Sequence, residues 1–366
     1  MRNSPAASKA KSSLLPTLAR RKYSAAVVGL GYWGPNLARN LSASDDFDLT
    51  ALVDIDERRR DKVGSLYPAA GRFSSLAEAL KDRPIDLVCV ATPVSSHASL
   101  AEIALNAGAN VLVEKPLAKT TAEARALLEL SVKVKRKVFV DHTFLYTGAV
   151  RELKRHLDSG ALGKLLYIDS VRINLGLFQP DVDVVWDLAP HDLAILHHLM
   201  GRGPKSVRTM GSCHTPKAGT DAAMADVAYL HLDYGDDVTA HLHLSWLSPV
   251  KVRRMIVAGE KQSIIYDDLE PAEKIKIYDH GVSFQIPDDD EARRRLLVSY
   301  RKGDMRAPNI SLAEAISTEL ADIASELRGG PTAVASGADG FAIVRVLEAA
   351  SRSASAGGSK IEVEEA

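Results

Sequence analysis

Apolar residues follow two different rhythms along this chain, and the change of rhythm is the first sign of two domains. Between residues 25 and 113 they come as short unbroken runs that predict strands over 25–30, 47–53, 86–91 and 110–113. Runs with no polar alternate face describe strands buried on both sides, as in a parallel sheet covered by helices. The text between them predicts helix over 57–66, a short extended piece over 72–74, and helices over 76–80 and 99–107. Gly108 stops the last of these, and Pro84 keeps the one before it from continuing. A strand over 138–140 and the segment Asp141, His142, Thr143, Phe144, Leu145, Tyr146 close this region, and a helix over 150–157 leads out of it.

From Leu165 the pattern changes to strands joined by turns. Residues 226–234 and 238–246 flank Gly235, Asp236 and Asp237, which predicts a hairpin. Alternate positions put Val238, Ala240, Leu242, Leu244 and Trp246 on a core face, with Thr239, His241, His243 and Ser245 opposite. That second face, with Tyr229 and His231 across the hairpin, is polar and weakly charged, as a subunit interface can be. His241 and His243 lack a third ligand, so no metal site is read there. More strands follow through Phe284, then a charged stretch from Asp288 to Arg295, helices over 312–327 and 341–353, and a last strand over 361–363. The expected fold class is α/β, with a doubly wound parallel-sheet domain over 24–145 and a second α/β domain over 146–366.

Composition narrows the picture. A chain of 366 residues is long for a single core. Lys plus Arg number 46 against 47 Asp plus Glu, a formal charge of -1, which gives no electrostatic case for nucleic acid or an anionic membrane. Two cysteines, Cys89 within an apolar run and Cys213 without an evident partner, make neither a disulfide framework nor a zinc site, so a cytoplasmic setting is expected. Residues 1–23 are rich in Ala, Ser, Lys and Arg and carry no acid. The apolar run after Arg20 and Arg21 is already the first strand, so these residues read as a disordered tail, with targeting as the alternative. No run is long enough to span a bilayer.

The first strand ends in Gly29, Leu30, Gly31, Tyr32, Trp33, Gly34, the spacing of a dinucleotide clamp. Gly29 lets the chain turn sharply, Gly31 lets backbone approach a pyrophosphate, and Gly34 lets the next helix pack on the sheet, with Tyr32 and Trp33 carried on the same loop. Pro35 suits that helix's first turn. The second strand ends at Asp54, twenty residues beyond Gly34, where a carboxylate accepts ribose hydroxyls and repels the extra phosphate of NADP. NAD is therefore the expected cofactor, with NADP disfavoured. An ordinary strand-to-helix turn with Asp54 as a cap is the alternative.

Two further strand ends carry chemistry. Thr92, Pro93 and His97 lie where a cofactor passes the sheet; the competing assignment makes Ser96 an N-cap and His97 a surface residue. Glu114, Lys115 and Pro116 follow a buried strand, where a lysine has few structural uses; a surface salt bridge between Glu114 and a neighbour is the alternative. In the second domain, Trp186, Asp187, Leu188, Ala189, Pro190, His191, Asp192 open a helix that runs to Met200 and stops at Gly201. Pro190 predicts a start near Asp187, with His191 one turn later on the same side. The helix dipole disfavours an imidazolium there and the carboxylate favours it, opposed effects that predict a histidine titrating near neutrality and able to accept a proton. Asp187 as an N-cap and His191 as a buried hydrogen-bonding residue is the alternative.

Taken in order and spacing, the glycine loop, Asp54, the segment from Ala91 to His97, Glu114 to Pro116 and Asp187 to His191 resemble the Gfo/Idh/MocA family of sugar and polyol dehydrogenases over roughly residues 24 to 363. The resemblance implies a Rossmann domain joined to an α/β domain with an open, mostly antiparallel sheet, and a homodimer or tetramer built on that sheet. It implies that Lys115 points at the reacting hydroxyl, that its bond to Pro116 is cis, and that Asp187 and His191 complete the catalytic set. Relatives commonly carry an Asn-Arg pair near His142 to Tyr146, which this chain lacks. The runs 29–40 and 185–193 look most like nucleotide-sugar 3-dehydrogenases of surface-polysaccharide and amino-sugar assembly. An inositol or other free-polyol dehydrogenase is the alternative substrate class, and a cofactor-bound regulator without turnover is the alternative of another kind.

Overall fold

The computed structural model describes residues 21–176, 182–215, 224–279, 281–285, 297–301 and 303–364. Most of the expected tail and the stretch Asp288 to Arg295 lie outside the described residues. The first domain alternates strand and helix: β1 (Tyr23–Val28), α1 (Gly34–Ala43), β2 (Phe47–Val53), α2 (Glu57–Gly64), β3 (Gly71–Phe73), α3 (Leu76–Asp82), β4 (Leu87–Val90), α4 (His97–Asn106), β5 (Asn110–Glu114), α5 (Thr121–Val134) and β6 (Val138–Asp141). The strands pair in parallel in the order β3-β2-β1-β4-β5-β6. That order reverses between β1 and β4, so the carboxyl ends of these two strands flank the crevice where ligands of such sheets bind. Ala25 to Val28 and Leu87 to Val90 are all enclosed, which is why their sequence shows no polar alternation.

Helix α6 (Gly148–Asp158) leads to β7 (Leu165–Leu175), α7 (Val184–Met200), β8 (Ser206–Ser212), β9 (Val227–Gly235), β10 (Val238–Ser245), β11 (Leu247–Gly259), β12 (Ser263–Asp267) and β13 (Ile275–Tyr278). A separate hairpin joins β14 (Gly281–Gln285) and β15 (Leu297–Arg301), and β16 (Met305–Arg306) and β17 (Ile361–Glu362) complete the strands. The second sheet is ordered β16-β13-β12-β11-β7-β10-β9-β8-β17 and is antiparallel except where β10 meets β7. Asp236 and Asp237 both have positive φ, 54° and 60°, so the expected hairpin closes through the two-residue turn whose twist matches its strands. Along β10 the apolar set faces α7 and the core, while His241 is exposed and His243 half-buried, as the alternation predicts.

The last two helices, α8 (Ala315–Leu327) and α9 (Gly337–Ser355), tie the domains together. Ile316, Leu320 and Ile323 of α8 pack with Leu37, Leu41 and Phe47 of the first domain. Helix α9 places Phe341 and Val344 against the parallel sheet's core and Ile343, Val346 and Leu347 against the core of the second. Among the described residues no helix is long and apolar enough to cross a membrane.

Candidate active site

At the end of β1 the chain turns through Gly29, whose φ is +91°. A Cβ there would stand 2.5 Å from the Ala91 carbonyl oxygen, and one on Gly34 would stand 1.9 Å from the Gly29 carbonyl oxygen. Both positions therefore have to be bare for loop and helix to close. Gly31 differs: the nearest atom to its would-be Cβ is Arg59 Nη1 at 3.9 Å, so open space lies over the loop. Helix α1 has Pro35 in its first turn, no acid there and no side-chain cap, which leaves its opening N–H groups and positive dipole end to an anion. These features fit a dinucleotide's pyrophosphate.

Asp54, which follows β2, is 6% exposed. Its Oδ2 accepts the Leu30 N–H at 2.7 Å and its Oδ1 the Asp56 N–H at 2.8 Å, so it braces the glycine loop from below. An ionised carboxylate accepts about four hydrogen bonds, which leaves capacity for ribose hydroxyls. Arg59 Nη1 lies 3.9 Å from Oδ2. On the loop itself Tyr32 is exposed, whereas Trp33 is turned toward the end of β6 and donates its Nε1–H to Asp141 Oδ2 at 2.5 Å. Thr92 accepts the Ser96 hydroxyl at 2.7 Å and packs against Gly29, and Pro93 is exposed beside it.

His97 is placed otherwise than expected. It is 1% exposed, with Nδ1 at 2.8 Å from the Pro116 carbonyl oxygen and Nε2 at 2.8 Å from that of Thr92. Both ring nitrogens lie against backbone carbonyl oxygens, to one of which a neutral ring donates, so the imidazole is turned into the protein and away from the surface. It fixes the loop after β4 to the loop after β5, positions that sequence distance conceals.

Beyond β5 the Lys115–Pro116 bond is cis. Glu114 pairs in register with Asp141 on β6, and its Oε2 is enclosed with no hydrogen-bond partner among the described residues. Burial lifts the Glu114 carboxyl to about 8, against the pull of the Lys115 charge. Lys115 Nζ donates to the Asp187 carbonyl oxygen at 2.8 Å and to Asp187 Oδ1 at 3.1 Å. An ammonium has three N–H groups, so one remains for a substrate oxygen. The second carboxylate oxygen, Oδ2, accepts the Trp246 Nε1–H at 3.1 Å. Trp246, expected only as core, thus also fixes the carboxylate that fixes the lysine.

Helix α7 starts earlier than Pro190 implied. Asp183 is its N-cap, accepting the N–H groups of Val185 and Trp186 at 3.0 Å, and Pro190 sits inside the helix. A proline inside a helix gives up the hydrogen bond to the carbonyl four residues back, here that of Trp186, and crowds that carbonyl with its ring; the helix bears this cost at Pro190, so the proline does not mark its start. The expectation that Asp187 holds His191 near neutrality is likewise corrected. The Asp187 oxygens go to Lys115 and Trp246, and His191 is pushed well below its ordinary value by burial first, then by the charges of Lys115, Arg172 and Arg253. His191 is therefore neutral in the resting site. Its ring meets the edge of Phe144, with centroids 5.0 Å apart, and its Nδ1 is enclosed without a partner among the described residues.

Several residues around this centre carry no signal in the sequence. Arg172 of β7 and Arg253 of β11 face each other across antiparallel strands, and their guanidinium carbons lie 4.7 Å and 5.8 Å from the centroid of the Phe144 ring. Such a like-charged pair is held by carboxylates: Asp192 grips Arg172 at 2.8 and 2.9 Å, and Asp268 lies 3.4 Å from Arg253. Behind the glycine loop, Glu319 of α8 is fully buried beside Asp141, and burial raises both carboxyls. Only the fold brings these distant acids together.

Comparison with known proteins agrees with this geometry. Residues 23–142 match the family model described as "Oxidoreductase family, NAD-binding Rossmann fold", and residues 150–265 match the GFO/IDH/MocA C-terminal domain. The chain is 29% identical over 258 residues to a UDP-N-acetylglucosamine 3-dehydrogenase from Acidithiobacillus ferrooxidans, covering 70% of this chain and 76% of that protein. It is 24% identical over 340 residues to an inositol 2-dehydrogenase from Rhizobium meliloti, covering 89% and 95%. The fold superposes with a TM-score of 0.78, at 18% identity and over 95% and 100% of the two chains, on the WlbA dehydrogenase from Bordetella pertussis solved with NADH and UDP-GlcNAcA. With both domains of the family matched in chain order, this chain belongs to the Gfo/Idh/MocA family as a sugar or polyol oxidoreductase that uses NAD.

Proposed function

We propose that the protein oxidises a secondary hydroxyl of a nucleotide sugar, at C3, in the assembly of an amino sugar or surface polysaccharide. What carries this is the junction of Lys115, from the parallel sheet, with Asp187 and His191, from α7: an ammonium with one free N–H beside a neutral imidazole. The nicotinamide, when bound by the glycine loop, Asp54 and the strand ends at Thr92, Pro93 and Glu114 to Pro116, supplies the hydride acceptor. Lys115 donates its remaining N–H to the reacting oxygen and stabilises the negative charge that grows there. His191 accepts the hydroxyl proton, for which its neutral state prepares it; with Nδ1 enclosed, Nε2 is the atom that meets the substrate. Asp187 and Trp246 hold the ammonium in place. Similarity to the UDP-N-acetylglucosamine 3-dehydrogenase supports the nucleotide sugar, and the inositol dehydrogenase, matched over more of the chain, supports the second reading, a free polyol.

Turnover against UDP-sugars, free hexoses and inositols, each with NAD and with NADP, tests the assignment. Reduction of NAD only by UDP-sugars is the expected result, activity confined to inositols transfers the assignment to polyols, and no activity with any of them favours a regulator. The outer face of the second sheet, where exposed Tyr229 stacks on His243 at 4.5 Å and His231 lies 2.9 Å from His241, supports self-association through this face. A monomeric mass at micromolar concentration would remove that part of the proposal.

A further inference from the structure

Most of the charge around the catalytic junction is matched at close range, and Arg253 is the exception. Arg172 and Arg253 are register partners on β7 and β11, so their side chains rise from the same face of the second sheet, the face against which α7 packs. Arg172 is buried and gripped through two atoms by Asp192 of α7, at 2.8 and 2.9 Å. Arg253 is held more loosely. Its one contact with an acid among the described residues runs from Nη1 to Asp268 Oδ2 at 3.4 Å, beyond the ~2.8 Å of a charge-assisted hydrogen bond. Asp268 also accepts the Tyr266 hydroxyl at 3.2 Å and lies 3.7 Å from Lys274 Nζ, so two cations share its charge. Arg253 Nη2 makes no hydrogen bond among the described residues and, unlike Nε, is not enclosed; the side chain is 33% exposed.

This arginine stands close to the chemistry. Its guanidinium carbon lies 5.8 Å from the centroid of the Phe144 ring, and the same ring meets His191 with centroids 5.0 Å apart. A single aromatic ring thus spans the gap from the imidazole to Arg253, a gap of the same order as the breadth of a sugar ring. Lys115, Arg172, Arg253 and Lys274 are set here against Asp187, Asp192 and Asp268, which leaves a positive surplus on this wall of the site. An arginine with only a structural task completes its fork on protein groups, and like charges opposite each other across strands are destabilising.

We propose that Arg253 receives an anionic oxygen group of the substrate, either a carboxylate on the sugar or the diphosphate of the nucleotide. This rests on the reading of the junction as the oxidising centre for a nucleotide sugar, and it names the part of that substrate which a free polyol lacks. The two terminal nitrogens of the guanidinium form a planar fork suited to paired anionic oxygens. Asp268, at 3.4 Å, holds Nη1 too weakly to compete with such a ligand. Arg172 does not touch the ligand, because its remaining nitrogen, Nη1, is enclosed; it contributes through its charge. An anion seated at Arg253 neutralises the surplus and anchors the sugar one ring's breadth from His191.

The test is calorimetric binding of UDP-N-acetylglucosamine, UDP-glucuronate and free glucuronate to the full-length protein saturated with NAD. Arg253→Gln is expected to weaken the anionic ligand by about tenfold or more and to flatten the dependence of its affinity on salt. NAD affinity is expected to stay that of the parent, and Arg253→Lys, which keeps the charge without the fork, to fall between the two. A loss shared by both UDP-sugars assigns the diphosphate, and a loss confined to the two uronates assigns the carboxylate. Melting separates this role from a structural one, since Arg253→Gln removes a like charge from beside Arg172 and should melt no lower than the parent. Failure of the parent to bind any of the three, equal binding by parent and Arg253→Gln, or a lowered melting temperature with unchanged binding overturns the proposal. NADH formation is followed separately: binding that depends on Arg253 without turnover of any nucleotide sugar ends the dehydrogenase reading and leaves the anion site standing.

Discussion

Lys115→Met removes the cation that the proposed mechanism sets against the reacting oxygen, with separate consequences for rate, pH dependence and stability. Two of the three ammonium N–H groups are held by Asp187, at 2.8 and 3.1 Å, so the third is already oriented when substrate arrives. Loss of a preorganised donor of this kind costs about a hundredfold or more in turnover, or about 3 kcal/mol of transition-state stabilisation. The lysine charge is also the second cause, after burial, of the depressed His191 value. Removing it favours the imidazolium, so the acidic limb of the pH profile moves to higher pH, yet burial and the two arginines keep it below the ordinary histidine value. The Lys115 and Asp187 side chains are 14% and 19% exposed, so the broken pair costs about 1–2 kcal/mol, less than a fully enclosed one. The assay is kcat/KM against pH, with NAD affinity followed by fluorescence and stability by thermal melting. A loss smaller than about tenfold, or a limb that stays put or moves to lower pH, refutes the role given to Lys115.

Other outcomes follow from the same geometry. Gly31→Ala, in open space, should melt like the parent but raise the KM for NAD, whereas Gly34→Ala, 1.9 Å from a carbonyl oxygen, should lower the melting temperature; equal effects on both properties would show that the glycines are not divided in this way. Glu114→Gln should stabilise the protein increasingly between pH 4.5 and about 8, because over that window the unfolded parent releases a proton that the folded parent retains; a gap in melting temperature that is constant with pH contradicts this. Asp54→Ser should raise the KM for NAD and lower that for NADP, since Arg59, 3.9 Å from the carboxylate, then meets a 2′-phosphate unopposed; an unchanged cofactor ratio removes Asp54 from cofactor selection.

The parallel sheet was legible because its signals are local. Uninterrupted apolar runs such as Leu87 to Val90 state their own burial, and the glycine spacing states a turn whose steric reasons the structure supplies at Gly29 and Gly34. The hairpin of β9 and β10 was legible for the same reason, since alternation and turn residues are neighbours in sequence. What failed was inference about charge and orientation. His97 lies next to hydroxyls in sequence, yet its ring nitrogens go to carbonyls at Thr92 and Pro116. Its neighbours in space include a loop that the sequence places nineteen residues away.

His191 shows the limit most clearly, because the residues four positions apart on its helix were correctly placed and the electrostatics still came out reversed. Sequence spacing offers Asp187 as its nearest charge, but the field of that carboxylate at the ring is offset by the cation it is paired with. Here both oxygens are engaged, one by a lysine from the other domain and one by an indole from β10's end. The charges that do reach the imidazole come from the loop after β5 and from β7 and β11, residues 115, 172 and 253, which no helical period connects. Bringing three cations around one histidine is possible only because Asp187, Asp192 and Asp268 each take one of them. The carboxylate that a local view assigns to the histidine thus belongs to the lysine, and the imidazole is kept neutral by burial first and then by the surplus of field that these pairs leave behind.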